Sequence, residues 1–427
     1  MATSKNNKSM KIITLILMML ALATIYILPY LRYTFYIPLQ EAMGLVGQNQ
    51  KYGTLTSIYG IANILLYIPG GWIADRFDPK KLMVFSMVST GLLGLWLATW
   101  PGYTSLLIIH ALLGVTTVLT FWSASIKCIN VISTRDEQGS MFSGLEAGRG
   151  IVSLAVTSLF LGIYAAFSSS SSTSMSAVVI SCSAVMILVG VALAFLMPSI
   201  PTAGVTNTNI KDSLHAMGRA FHMPITYILA GMLFCAQICT QSGSYYAPYL
   251  TDGLGMGVMA STVFANYRTV LCGAVGGLIA IYMSKKVGRS SKCIMYATSF
   301  ALVMYACLVI CPTATAFLWP MAVVMVLATT CNNIVRSLYY AVIDEAGTPK
   351  NIVGSVIGVA SLIGFLPDAF YGTLCGTVID KYQLPGYKYI FCFAILAVIL
   401  GFTCAFLGDR QVKKFRKTQE LDTASAS

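Results

Sequence analysis

Gly70-Gly71-Trp72-Ile73-Ala74-Asp75-Arg76-Phe77-Asp78-Pro79-Lys80-Lys81 lies between two long apolar runs. Paired glycines let helices approach closely, and the burst of charge that follows ends a lipid-compatible segment. In a water-soluble protein the same letters would make a charged turn between core helices. The flanks exclude that reading. Of the 427 residues, 57% are hydrophobic and only 10% charged, and the mean hydropathy is +0.76. A globular domain carries about a quarter charged residues, so this chain is expected in a bilayer.

Working outward, twelve apolar segments can be counted, at 12–38, 51–74, 81–100, 103–130, 139–167 and 175–197, then 224–250, 257–284, 292–311, 316–341, 353–379 and 388–408. Each is near the roughly 20 residues that a bilayer demands. The expected fold is an all-α membrane protein with 12 transmembrane helices. Residues 1–199 form one six-helix bundle, 200–222 a cytoplasmic linker with a surface helix at 211–222, and 223–427 a second bundle with its tail. Lys5, Lys8 and Lys11 before Ala21-Leu22-Ala23 imitate a signal peptide, but the apolar run continues to Pro38 and reads as an uncleaved first span.

Orientation follows from the basic residues. With the N-terminus inside, 19 Lys and Arg fall on the cytoplasmic side and only Lys51, Lys381 and Lys388 outside, which puts both termini in the cytoplasm. This topology accounts for the excess of 27 Lys and Arg over 15 acids without nucleic acid as a partner. The serine run at 168–172 reads as an outer loop without chemistry. The 12 cysteines lie almost entirely within apolar runs and include no CxxC pair, so they read as core residues and not as metal ligands.

The halves repeat. Gly70-Gly71-Trp72-Ile73-Ala74 in span 2 returns as Gly276-Gly277-Leu278-Ile279-Ala280 in span 8, and Tyr36-Ile37-Pro38 in span 1 as Tyr246-Ala247-Pro248 in span 7. Lys127, nine residues before Asp136-Glu137, answers Arg336, eight before Asp344-Glu345. Gly144 and Gly150 match the spacing of Gly358 and Gly364. Four matches at equivalent places make a two-fold internal repeat. The opening stretch resembles the loop 2–3 signature of the major facilitator superfamily, Gly-x-x-x-Asp-Arg-x-Gly-x-Arg/Lys. Gly71, Asp75, Arg76 and Lys80-Lys81 match, while Asp78 stands where glycine is usual. The second copy is reduced to Lys285-Lys286-Val287-Gly288-Arg289. The resemblance implies two pseudo-symmetric bundles around a central cavity, alternating access by a rocker switch, and a loop that holds one closed state.

Five cations fall inside spans, Arg32, Lys127, Arg149, Arg268 and Arg336, against two clearly intramembrane acids, Glu146 and Asp368. Each buried charge costs at least about 2.5–3.5 kcal/mol and needs a partner or a watery cavity. Two acids cannot neutralise five cations, and the surplus attracts anions. Arg32 lies six residues before Pro38, roughly 9 Å from the outer end and within reach of the interface; Arg268, near mid-span, is not. Their repeat counterparts, Ser242 and Ala62, are uncharged, so the pair breaks the symmetry as cargo recognition would. A guanidinium fork grips carboxylate, phosphate or sulfonate through two bonds. Arg32 and Arg268 are therefore the first candidates for substrate binding, with Tyr36, Tyr59, Gln241 and Tyr245 lining the same cavity.

Lys127 and Arg336 obey the repeat and sit in the inner third of their helices. That position fits a gate made with Glu146, Asp75, Asp136 or Asp344, in a charge network that takes in Arg76 and Arg149; direct substrate contact is the other reading. Glu146 and Arg149 share one helix face and can pair. Glu146 and Asp368, the latter just after Leu366-Pro367, are the two candidates for carrying a proton. His110 reads as a packing residue.

Tyr30-Leu31-Arg32-Tyr33-Thr34-Phe35 is similar to the arginine-bearing first helix of organophosphate and organic-anion transporters. That resemblance implies an anionic organic substrate with Arg32 as ligand. The span 7 arginine those proteins often carry is Ser242 here, and Arg268 stands as its substitute. Nitrate and nitrite porters also use a span 8 arginine, but span 2 here has none, and Gly144-Leu145-Glu146-Ala147-Gly148-Arg149-Gly150 carries charges within the glycine signature. The expectation is a proton-coupled secondary transporter of the inner membrane for a small organic anion, such as a sugar acid or sugar phosphate. It is expected to act as a monomer without cofactor or metal, its partners being the anionic substrate, protons and the lipid bilayer. The alternatives are an inorganic-anion porter, a multidrug efflux pump of the same fold and, last, a transporter-like sensor, for which the tail at 409–427 is short. No Walker-type loop, HExxH or nucleophile elbow marks an enzyme.

Overall fold

The computed structural model of the protein describes residues 2–132, 138–167, 170–199, 217–349 and 352–426; side chains are described for all of these but 2–10, 68, 75, 130, 138–140, 142, 143, 146, 147 and 419–426. All regular structure among the described residues is helical. Span 1 runs Ala2–Ile25 and continues, after a break, through a 3-10 turn at Leu31–Tyr33 into Tyr36–Ala42; span 2 is Asn49–Arg76. Spans 3 to 6 are Pro79–Leu97, Tyr103–Ile129, Gln138–Ala166 and Ser171–Leu196. Spans 7 to 12 are Pro224–Asp252, Val258–Val287, Ser290–Ile310, Thr315–Leu338, Val353–Tyr382 and Leu384–Ala426.

Ten of these, spans 3 to 12, are long and apolar enough to cross a membrane by length and composition. Span 1 contributes the shorter apolar helix Lys11–Ile25, and span 2 is the 28-residue helix Asn49–Arg76. With those two the chain is a twelve-span, multi-pass membrane protein.

The chain divides into two compact units, Met1–Thr206 and Asn207–Ser427. Most of the expected linker, 200–216, lies outside the described residues, as do Asp136 and Glu137; of the expected surface helix, 217–221 is helical. Inside each unit the same helices pair. Spans 1 and 5, 2 and 4, and 3 and 6 pack in the first; spans 7 and 11, 8 and 10, and 9 and 12 pack in the second. The repeated glycines explain one of these pairings. A Cβ on Gly70 would stand 3.0 Å from the Leu119 carbonyl of span 4, and one on Gly276 would stand 2.7 Å from Asn333 Cβ of span 10. Gly71 and Gly277 face more open space. It is the first glycine of each pair that lets spans 2 and 4, or 8 and 10, touch.

Spans 1 and 7 were expected to be continuous, and both are broken at the same place in the repeat. Span 7 changes to a 3-10 turn at Gly243–Tyr245 before the helix Tyr246–Asp252. The cause is shared. Pro38 and Pro248 lie three residues into each restarted helix and supply no N–H to the carbonyls of Thr34 and Ser244 four residues back. Pro29 adds a second interruption in span 1. A discontinuous helix at matching positions of two halves frees backbone groups, and in this kind of architecture it marks the place where ligands bind. Span 4 departs differently, through a π-helical stretch at Val115–Trp122. There Thr117, Thr116 and Thr120 meet Tyr59, Thr90 and Ser86 at 3.1, 2.8 and 2.6 Å.

Candidate functional site

In the first unit, the break of span 1 places Arg32 in its 3-10 turn with only 5% of its surface exposed. Arg32 Nη1 donates to Thr56 Oγ1 of span 2 at 2.8 Å. The guanidinium lies over the rings of Tyr36 and Tyr52, 5.0 and 4.8 Å from their centroids. Those rings pack edge to face, and the Tyr52 hydroxyl donates to the Tyr36 carbonyl at 3.2 Å. A small cavity beside them is lined by Arg32, Tyr52, Thr56 and His110 together with apolar side chains. His110 Nδ1 lies 2.8 Å from the Leu106 carbonyl and donates to it, which secures the ring within its own helix. Arg32 is thus a buried residue and not one that has reached for the interface.

In the second unit, Arg268 of span 8 is 7% exposed. Its Nη1 donates to Thr329 Oγ1 of span 10 at 2.7 Å and its Nη2 to the Gly243 carbonyl of the span 7 break at 3.0 Å. The Tyr246 ring lies 5.0 Å from the guanidinium carbon. Arg268 Nε is buried without a hydrogen-bond partner, and among the described residues no carboxylate lies within 4.0 Å of the guanidinium. A Cβ on Gly243 would come within 3.3 Å of Nη1, so the approach depends on glycine there. Tyr36 and Tyr246 are repeat equivalents. The two arginines that break the repeat in sequence, one from span 1 and one from span 8, therefore meet the same tyrosine position of their own halves.

A polar seam continues from Arg268 along span 7. Thr329, Asn332 and Arg336 form one face of span 10 at spacings of three and four residues. Thr329 receives Arg268, while Asn332 Nδ2 and Arg336 Nη1 both donate to Thr240 Oγ1 at 2.9 Å. On either side of Thr240, Gln237 and Gln241 each donate Nε2 to Asp368 Oδ1 of span 11, at 2.5 and 2.7 Å. Asp368 begins the second half of span 11, where Pro367 opens the helix Pro367–Tyr382.

The other sequence candidates lie apart from these clusters. Tyr59 is buried against Thr117 and the ring of Tyr30, and the Tyr245 hydroxyl donates to the Gly372 carbonyl at 3.3 Å. Lys127 Nζ donates to the Ala74 carbonyl at 2.6 Å, in the last turn of span 2, where a cation complements the helix dipole. Arg76 stacks on Trp72 with its guanidinium 3.7 Å from the ring centre. Arg336 meets Thr240, and no ion pair joins it to Asp344 among the described residues. Arg149 is half-buried; the side chains of Asp75 and Glu146 lie outside the described residues. Sequence reasoning missed Tyr52, Thr56, Thr240, Gly243 and Thr329. Thr56 lies 24 residues after Arg32 in the neighbouring helix, and an ordinary threonine carries no signal of its own.

Compared with known proteins, residues 10–372 match the Major Facilitator Superfamily. The chain is 31% identical over 438 residues to "Inner membrane protein YqcE" of Escherichia coli (strain K12), covering 99% of each. It is 26% identical to "Inner membrane protein YihN" of the same organism, over 88% of this chain and 91% of that one. Among solved structures it resembles a bacterial homolog of the human lysosomal transporter Spinster in an inward-facing, unoccupied conformation, with a TM-score of 0.71 at 14% identity over 93% of this chain and 97% of that one. The nucleoside transporter NupG gives a TM-score of 0.68 at 14% identity, over 94% and 99%. The match over nearly the whole length, the twelve helical spans and the paired halves agree: the chain belongs to the Major Facilitator Superfamily.

Proposed function

We propose that the protein is a secondary transporter for a small organic anion bearing a carboxylate, phosphate or sulfonate, working by alternating access in the inner membrane with proton coupling. The observation that carries this reading is Arg268: a buried cation met by a hydroxyl, a carbonyl and a ring, with no acid among the described residues to balance it. Such a group costs several kcal/mol unless an anion or water reaches it. An anionic substrate supplies the missing charge. Arg268 is the anion ligand of the second unit and Arg32 its counterpart in the first. Asp368, held by two amides, and Glu146 are the acids available to take the coupling proton. The inner-membrane location rests on the names of the relatives, and the cytoplasmic termini on the distribution of Lys and Arg.

The test is a thermal-shift screen of the purified protein against sugar phosphates, sugar acids, sulfonates, short carboxylates, nitrate and phosphate, beside Arg32→Ala and Arg268→Ala. A ligand that binds only the folded state raises the melting temperature with occupancy. One class of organic anion should stabilise the wild type and lose its effect in both variants. Stabilisation by nitrate alone would move the reading to an inorganic-anion porter, and stabilisation by lipophilic cations alone would replace it with drug efflux.

A further inference from the structure

The seam of span 7 has two chemically opposite ends. At Gly243 it offers donors, through the guanidinium of Arg268 and its unpartnered Nε. At Gln237 and Gln241 it offers acceptors. Both amides spend an N–H on a single oxygen of Asp368, and no described residue donates to Asp368 Oδ2 or to the Oε1 atoms of the two glutamines. Three acceptor oxygens of spans 7 and 11 are thereby held together, Gln241 being buried and Gln237 and Asp368 half-buried. Neighbouring Thr240 offers no further donor, because its hydroxyl proton already goes to the Ala236 carbonyl at 2.8 Å. The two ends are six residues apart on span 7, or about 9 Å by helical rise.

Acceptors of this kind, left open inside a membrane, are satisfied by a partner rich in O–H groups. From this we infer that the substrate is a hydroxylated organic anion, its charged group at Arg268 and its hydroxyls donating to Asp368 Oδ2 and the free amide oxygens of Gln237 and Gln241. The inference rests on the anion reading above and adds the chemistry of the rest of the molecule. Gln237 and Gln241 serve twice, first orienting the carboxylate and then recognising hydroxyls.

The experiment compares matched pairs on the purified full-length protein, by thermal-shift titration: D-gluconate against hexanoate, and D-glucose 6-phosphate against hexyl phosphate. A site built to hydrogen-bond hydroxyls rejects the analogue without them, so in at least one pair the hydroxylated member should bind about tenfold tighter or more. The Gln237→Met, Gln241→Met double variant should bring that ratio towards one. If the plain members bind as tightly as the hydroxylated ones in the wild type, this inference falls and the anion reading stands. A third probe, 6-aminohexanoate, separates the remaining chemistry: tighter binding than gluconate would assign the acceptors to an ammonium group and overturn the inference. If no anion of either kind binds, both readings fall together. The wild-type comparison decides the matter even if the double variant does not fold.

Discussion

Arg268 shows what a single side chain can contribute here and how it can be broken. Its fork reaches Thr329 and the Gly243 carbonyl at once, and the Tyr246 ring covers its face. Lysine keeps the charge but is a point donor that cannot hold both partners and an anion in one plane. Arg268→Lys is expected to weaken anion binding by about 10–100-fold, the equivalent of one or two charge-assisted hydrogen bonds, with the melting temperature of the empty protein changed little; unaltered uptake by this variant would take Arg268 out of the site. Asp368 is tested differently. Asp368→Asn keeps the shape and removes the titrating group, so uptake driven by a proton gradient should fall to background, while exchange of labelled for unlabelled substrate across proteoliposomes survives at higher substrate concentration, because an N–H donor replaces the acceptor Oδ2 beside Gln237 and Gln241. Loss of exchange even at saturating substrate would take Asp368 out of the coupling role, and retention of driven uptake would leave coupling to Glu146. At this scale the sequence was informative about charges and silent about neighbours. A charge in mid-span is conspicuous because lipid penalises it. Thr329, Thr240 and Gly243 become partners only through the packing of spans 7, 8 and 10, which no local pattern records.

Helix ends are the elements whose signals stand most plainly in the sequence. Asp78 looked like a departure from a glycine pattern. In the structure it is the N-cap of span 3, its carboxylate accepting the Lys80 N–H at 2.9 Å with Pro79 at the first helical position. Asp followed by Pro is a start signal that sequence alone displays. Removing the cap with Asp78→Ala should cost about 1 kcal/mol, seen as a lower apparent melting temperature, whereas Asp78→Gly, the residue usual in the superfamily signature, should cost only a few tenths of that. Equal losses for Ala and Gly would mean that the carboxylate does something other than cap. The corresponding end in the second unit is solved by another route: both oxygens of Glu345 accept the Ser290 N–H at 2.9 Å, across 55 residues. That bond could not be foreseen, since it depends on how the turn after span 10 folds back. The breaks in spans 1 and 7 lie between these cases, written in Pro38 and Pro248 but masked by apolar runs that stay continuous across them.

For the whole molecule, the repeat and the charge distribution were legible because both are averages over many residues. The structure adds a physical link between two of the basic regions. Asp409 on span 12 joins Arg289 and Lys413, each at 2.9 Å, and Arg416 donates to the Gly288 carbonyl at 2.8 Å, so the loop between spans 8 and 9 and the extension of span 12 lie at the same end of their unit. Lys285, Lys286, Arg289 and Lys292 thus share a side with Arg410, Lys413, Lys414, Arg416 and Lys417. Clustered cations of this kind are retained on the cytoplasmic face during insertion, and the bias acts through residues close to the ends of spans. The prediction is a cytoplasmic C-terminus. Green fluorescent protein fused after Ser427 should fluoresce and alkaline phosphatase at the same place should be inactive, while phosphatase inserted at Gln383, between spans 11 and 12, should be active. The opposite pattern would reverse the orientation of all twelve spans. It would also move the break in span 1, which the positive-inside argument puts in the outer half of that span, to the cytoplasmic half.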